Sequence, residues 1–428
     1  MGKFSVPEEI RKMKPTGTMV KKISNNYYVY EYKTKTDKEG KRYTKMGKMI
    51  GIIKKDIGFI SNENFNRKEE ISSLEYGQYA VVMANTERVL EQLKGIFNLE
   101  DAIKIYIIGV IHFVNGFVYL KDIKEYYEMS ILSLRYPNLK MGYTALNSLY
   151  DSLGRRQKNV IKFEDRIISE STKQIAIDGH AIGSNSDEND LSEKGYKFTK
   201  FGERQMNLLM AYDINTQRPL ISRIYEGASN DRVSIKDFLK QIELKDMLFV
   251  VDRGFYSKEN IELFTNNGNE YIIPLSKNLT ACKKAVSSLE MQERFVYQKG
   301  KRATVIEYKE EKIDGQRVIT YRDITEAAIE QENYNRHIGL GDNKYTREKY
   351  EQLKDLMAVT VLQTSLKDKS AKEIYDLYKK RWSIETFYNY FKNTANYNSL
   401  HAQDYHKTQG LSFIMLISAL IYQEFKEV

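Results

Sequence analysis

The run Tyr378-Lys-Lys-Arg381-Trp-Ser-Ile-Glu385-Thr-Phe-Tyr-Asn-Tyr-Phe-Lys392 decides how the rest of the chain is read. Tyr378, Arg381, Glu385 and Lys392 recur at gaps of 3, 4 and 7. At about 100° per residue they fall within roughly 60° of one helix face. A carboxylate, two cations and a phenol on one narrow stripe suit a hydrated metal and a phosphate backbone better than a core. Ser370 followed by Glu373 forms a capping-box pattern that starts the helix. No Pro or Gly interrupts residues 370–392, and Leu377, Ile384, Phe387, Tyr388 and Phe391 make an adjacent apolar arc. A surface amphipathic helix with scattered charges is the plainer alternative.

Two aspartates elsewhere sit in strand contexts. Lys173-Gln-Ile-Ala-Ile-Asp178-Gly179 is a short apolar run, predicted to deliver Asp178 at or near the end of a buried strand. Met247-Leu-Phe-Val-Val-Asp252-Arg253-Gly254-Phe255-Tyr256-Ser257 predicts a strand, an acid, a turn and a helix capped by Ser257 that runs to about Asn267. Either aspartate taken singly is equally compatible with capping a turn. Asp187, Glu188, Asp190 and Glu193 lie in a polar stretch read as a solvated loop.

Gathering Asp178, Asp252 and Glu385 requires cations, because two carboxylates about 4 Å apart repel by about 4 kcal/mol at an effective dielectric of 20. Oxygen ligands without a Cys or His cluster select magnesium or manganese over zinc. His112, His180, His337, His401 and His406 show no zinc spacing, and His180 reads as a loop residue. Two such ions can activate a water and stabilise the leaving oxygen of a phosphodiester.

With these residues in view, the chain resembles the DDE insertion-sequence transposases, in the branch with a Tyr-x2-Arg-x3-Glu-x6-Lys signature. The resemblance covers about residues 170–395 and includes the Asp252-Arg253-Gly254 turn and the segment Tyr196 to Gly227, with Asn207-Leu-Leu-Met-Ala-Tyr-Asp213. It implies an α/β fold: a ribonuclease H-like mixed sheet flanked by helices and interrupted by a β-rich insertion. It also implies Asp178, Asp252 and Glu385 as catalytic metal ligands for Mg2+ (or Mn2+), two ions, and Tyr378, Arg381 and Lys392 as contacts to DNA phosphates. Arg253 and Trp382 join the implied DNA-binding set. Trp382, the one tryptophan, could instead seal the helix against the core. Gly179-His180 departs from the family, where Thr or Ser is frequent after the first acid.

The expected organisation has five parts. Residues 1–72 form an N-terminal β-ribbon contacting DNA, and 73–168 a helical region for end binding or dimerisation. Residues 169–275 begin the catalytic core, 276–366 form the β-rich insertion, and 367–428 complete the core. The ribbon rests on Tyr27-Tyr-Val-Tyr-Glu-Tyr32 and Met49-Ile-Gly-Ile-Ile53 flanking a basic turn. Lys21, Lys22, Lys33, Lys35, Lys41, Arg42, Lys45 and Lys48 interleave with its tyrosines. Within the insertion, 294–297, 304–308 and 317–321 read as strands, 323–333 as a helix, and 356–362 as a strand returning to the core.

The 428 residues carry 67 Lys+Arg against 58 Asp+Glu, a net charge of +9. That balance suits a polyanion, although a Lys-, Ile-, Tyr- and Asn-rich composition also follows from an AT-rich genome. A single cysteine, Cys282, excludes an intrachain disulfide and fits a cytoplasmic, nucleoid-associated protein. The apolar stretches 103–120 and 411–425 are interrupted by polar residues and read as buried core helices, so no membrane is expected. The resulting expectation is an enzyme cutting the ends of its own insertion element and joining them to target DNA. Its partners would be terminal inverted repeats and target DNA, bound by a homodimer. The alternatives are a ribonuclease H-like nuclease without joining activity and a non-catalytic, transposase-derived DNA-binding protein or repressor.

Overall fold

The computed structural model describes residues 6–36, 40–62, 73–184, 186–195, 203–242, 244–393, 399–400, 402 and 404–427. The chain divides into two units, Met1–Ser73 and Leu74–Val428.

In the first unit a short helix, α1 (Glu8–Lys12), precedes an antiparallel sheet of β1 (Thr18–Ile23), β2 (Asn26–Thr36), β3 (Arg42–Lys54) and β4 (Gly58–Ser61), paired in sequence order. Ile10, Val29 and Ile53 form its small core. The strands match the tyrosine-rich runs; the basic turn between them falls partly on 37–39, outside the described residues.

The second unit opens with helices α2 (Gly77–Asn85), α3 (Glu87–Lys94), α4 (Leu99–Asn115), α5 (Ile123–Glu128), α6 (Leu132–Arg135), α7 (Tyr143–Arg155) and α8 (Gln157–Ser169). The sheet follows: β5 (Gln174–Ser184), β6 (Glu193–Lys194), β7 (Arg204–Asp213), β8 (Pro219–Glu226), α9 (Asp231–Gln241), β9 (Leu248–Val251), α10 (Lys258–Thr265) and β10 (Glu270–Pro274). After α11 (Thr280–Val286) come β11 (Glu293–Lys299), β12 (Arg302–Ile313), β13 (Gln316–Asp323), α12 (Ile324–Gly339), α13 (Arg347–Leu353) and β14 (Val359–Thr364). The chain continues with α14 (Ala371–Lys380), α15 (Trp382–Asn393), β15 (Ser399–Leu400) and α16 (Tyr405–Lys426).

One large mixed sheet flanked by helices results. β5 pairs antiparallel with β7, and β7 antiparallel with β8. β9 lies parallel to β5, and β10 parallel to β9. Strands β11, β12 and β13 do not stand apart from this sheet: β13 bonds to β14, and β14 bonds antiparallel to β10, so they extend it.

The period-2 alternation of the strands separates two cores. Ile175, Ile177, Leu209, Phe249 and Val251 face one side. Ala176, Met210 and Val250 face the other, with α4, α7, α16 and the start of α15. Helix α16 is buried without a break from Gly410 to Ile421. It approaches α7 so closely that a Cβ on Gly154 would collide with the His406 carbonyl, and one on Gly410 with that of Tyr150. The apolar stretch 103–120 is a buried helix only as far as Asn115, where α4 ends, with Tyr119 45% exposed beyond it, while 411–425 lies within α16. Among the described residues, no helix is long and apolar enough to cross a membrane.

Candidate active site

Asp178 and Asp252 are brought together by strand register. Parallel pairing of β5 and β9 runs from Gln174↔Leu248 to Ile177↔Val251, and the two aspartates follow that last pair. Asp178 shares the parity of Ala176. Asp252, still extended at φ −82° and ψ 161°, shares that of Val250. Both therefore face the side on which Ile384, Phe387 and Tyr388 of α15 are buried. The turn after Asp252 develops as the sequence predicts, with Ser257 accepting from the Asn260 N–H to cap α10. Asp178 does not end its strand, however. β5 continues to Ser184 because β7 pairs with it through Gly183.

The stretch predicted as one helix is two. The Ser370–Glu373 capping box starts α14 as expected. At Arg381 the ladder tightens, with Arg381 N–H donating to the Tyr378 carbonyl and Ile384 N–H to that of Arg381. No breaking residue is present, so tertiary demand overrides helix propensity here: Arg381 is buried, with a side chain only 7% exposed. Its Nη2 lies 3.0 Å from Glu385 Oε1 and its Nη1 3.9 Å from Asp178 Oδ2. The guanidinium sits 5.8 Å from the Tyr378 ring centroid, and its Nε has no hydrogen-bond partner. One arginine thus joins carboxylates from β5 and α15.

Burial pushes the Asp178 carboxyl up to about 6; the Arg381 charge and the Gly179 N–H oppose the rise, while Asp252 and Glu385 add to it. That Asp252 and Glu385 both act on Asp178 places the three acids in one electrostatic cluster. Burial likewise raises the Tyr378 phenol, against the pull of Arg381.

Asp252, Glu385, Arg381, Tyr378, Trp382 and Arg253 line a cavity of about 550 Å³. Asp178 does not line it. Lys392 is exposed in the last turn of α15 and does not line it either. Trp382 is 64% exposed, so it borders the cavity and does not seal the core. The Phe391 side chain lies outside the described residues.

Several neighbours were not singled out from the sequence. Lys277 and Lys283 add positive charge to the cavity wall, and Leu275, Val286 and Val359 supply its apolar part. The Tyr388 hydroxyl donates to the Asp178 carbonyl at 2.9 Å, and its ring stacks on His180 at 5.2 Å. His180 is thus a strand residue, not a loop one. Asp231, in the first turn of α9, stands over the strand: a Cβ at Gly179 would lie 2.7 Å from its Oδ1. That carboxyl occupies the space a Ser or Thr at 179 would need. No local signal marks any of these contacts, which arise from elements distant in the chain.

As they stand, no three His, Cys, Asp or Glu side chains among the described residues converge closely enough to hold an ion. Carboxylate oxygens on three elements are nevertheless the donor type a hard divalent cation takes, and Arg381 stands as counter-cation between Asp178 and Glu385.

Residues 170–421 match the family model described as Transposase DDE domain, which spans more than half of the chain. Among solved structures, the chain is similar to piggyBac transposase in a synaptic complex with hairpin DNA, determined by cryo-electron microscopy. That likeness has a TM-score of 0.42 at 10% identity, and covers 84% of this chain and 76% of that one. No curated protein matches. By the extent of that family match, this chain belongs to the transposase DDE domain family.

Proposed function

We propose that the protein cuts DNA at the ends of its own insertion element and joins the freed ends to target DNA. The observation that carries this reading is Arg381 bridging Asp178 and Glu385 beside Asp252, at a cavity whose wall bears Arg253, Lys277 and Lys283. The order β8-β7-β5-β9-β10, with β9 and β10 parallel to β5, supports a ribonuclease H-like core for residues 169–275 and 367–428. On this reading residues 276–366 elaborate the sheet edge, and 73–168 serve end binding or dimerisation.

Asp178, Asp252 and Glu385 would hold two magnesium or manganese ions, which when bound would supply water activation and stabilisation of the leaving oxygen. Arg381 offsets carboxylate repulsion in the ion-free site. Tyr378 orients the guanidinium. Arg253 and Lys392 neutralise strand charge, and Trp382 presents an exposed ring for stacking on a base. Two DNA ends imply a pair of subunits.

The test is cleavage of a plasmid carrying the gene with its flanking DNA, with magnesium or manganese, comparing wild type with Glu385→Gln. Cuts at flanking inverted repeats, absent in the variant, are expected; cutting by Glu385→Gln would sink the site assignment. A binding-only derivative is the second reading, favoured by the loose spacing of the three acids. It predicts tight binding to those ends with no cutting by either protein.

A further inference from the structure

The first unit contains a projection that its own sheet does not use. β1 pairs with β2 only as far as Glu31, and β4 reaches β3 only from Gly51. β2 and β3 pair beyond both limits, out to Thr36↔Arg42. Residues 31–36 and 42–49 are all exposed; apart from Glu31, which pairs with Thr18, and Met49, whose carbonyl accepts from the Asn62 amide, this part is a two-stranded ribbon with both faces and both edges open among the described residues. Two strands alone are marginal in water.

Its charge makes that worse in isolation. Lys33 stands directly opposite Lys45, and Lys35 opposite Tyr43, which places three ammonium groups and a phenol on one face. Like charges directly across a strand pair are destabilising. These two ribbon segments carry Lys33, Lys35, Arg42, Lys45 and Lys48 against the single acid Glu31. None of those five cations forms an ion pair among the described residues. The opposite face carries Tyr32 and Met46 as a cross-strand pair, 41% and 45% exposed, with Thr34, Thr36 and Thr44.

We infer that this ribbon is a docking element for duplex DNA, entering the major groove with Lys33, Lys35 and Lys45 set against phosphates. Two strands about 4.8 Å apart fit a groove about 12 Å wide. A polyanion removes the repulsion between Lys33 and Lys45, and release of counterions drives the association. Tyr43 on the same lysine face offers a hydrogen-bonding hydroxyl to the backbone. The inference deepens the DNA-acting reading by naming where the duplex is held outside the carboxylate site, and it requires no catalysis. Lysines on open strand edges also suppress edge-to-edge pairing, which is the competing explanation the experiment addresses.

The experiment uses the full chain in EDTA and a fluorescent 30-base-pair duplex of random sequence, with anisotropy read from 50 to 200 mM salt. The triple variant Lys33→Ala/Lys35→Ala/Lys45→Ala should bind at least about tenfold more weakly, with a log Kd against log salt slope reduced by about 3. The corresponding triple Arg variant should bind like wild type, which separates charge from folding. An unchanged affinity and slope in the Ala variant would overturn the inference, most plainly if that variant also aggregates. So would wild-type binding to phosphatidylserine vesicles without binding to the duplex. Should the ribbon variant bind normally while Glu385-dependent cleavage is observed, only this inference falls. Absence of both duplex binding and cleavage removes the functional proposal as well.

Discussion

Two arginine–carboxylate clusters lie within the same unit and are built to opposite ends. Arg223 on β8 meets Glu164 on α8 through two bonds, Nη1–Oε1 at 2.5 Å and Nη2–Oε2 at 2.6 Å. Its Nε donates to Gln241 at 2.7 Å, and Nη1 also reaches the Ser222 carbonyl. Glu164 is fully buried, and burial raises its carboxyl against the pull of Arg223. Every nitrogen of that fork is used. Arg381 holds Glu385 through one bond and Asp178 at 3.9 Å, and keeps a buried Nε without a partner. The Asp178 and Glu385 side chains there are 21% and 34% exposed. The chemistry is the same, but the first fork is fully used, whereas the second keeps a donor without a partner.

Substitutions should split the clusters. Glu385→Gln is expected to lower metal-dependent cleavage by about 10³-fold or more, a loss of roughly 4 kcal/mol in the barrier, while its thermal unfolding stays near wild type. A variant that cuts normally but melts early would make the Arg381 cluster structural. Glu164→Ala leaves a buried guanidinium uncompensated and should cost about 3–5 kcal/mol in denaturant unfolding. A loss below 1 kcal/mol would erase the contrast.

A third buried group, His112 on α4, has neither arrangement. Its Nε2 lies 3.1 Å from the Val118 carbonyl, and burial pushes its pKa down to about 4. The unfolded chain takes up that proton near pH 6.5, whereas the folded one resists it until about 4. Stability from the neutral ring is therefore complete above about 6.5 and is lost as pH falls towards 4, by about 3 kcal/mol. Unfolding of His112→Gln across that window should show a correspondingly shallower pH dependence than wild type.

The weakest effects sharpen the margins. Ser370→Ala removes one half of the capping box that starts α14 and should cost about 1 kcal/mol. Trp382→Ala, at an exposed ring, should change stability by under about 0.5 kcal/mol while weakening duplex binding. A larger stability loss would return Trp382 to the core.

Local patterns carried far in this chain. The strand, acid, turn and capped helix at 247–265 appear as written, because each depends on neighbours within a few residues. The Ser370 cap is legible for the same reason. The break at Arg381 is not, since it answers a carboxylate on β5, about two hundred residues earlier. Nor is the mid-strand position of Asp178, which depends on how far β7 extends. Lys277 and Lys283 join the cavity only through the placing of α11, and Asp231 meets Gly179 only because α9 begins above β5. The spacing of Tyr378, Arg381, Glu385 and Lys392 implied one stripe; the helix break leaves the first three at the cavity and Lys392 away from it.

The reciprocal contact of Gly154 and Gly410 bears on the order in which the molecule is made. Helix α16 fills the space between α4, α7 and β8, with Ser412 bonded to Ser222 at 2.8 Å and Ile417 and Ile421 set against Gly109. All of those partners leave the ribosome before it does. A nascent chain that already carries Asp178, Asp252 and Glu385 therefore has their sequence without their setting, its helical layer open along one side. Assembly must wait for contacts of high sequence separation, which form slowly and leave apolar surface exposed meanwhile. That layer closes only once α16 itself has been made, when two glycines let one helix slide in against another.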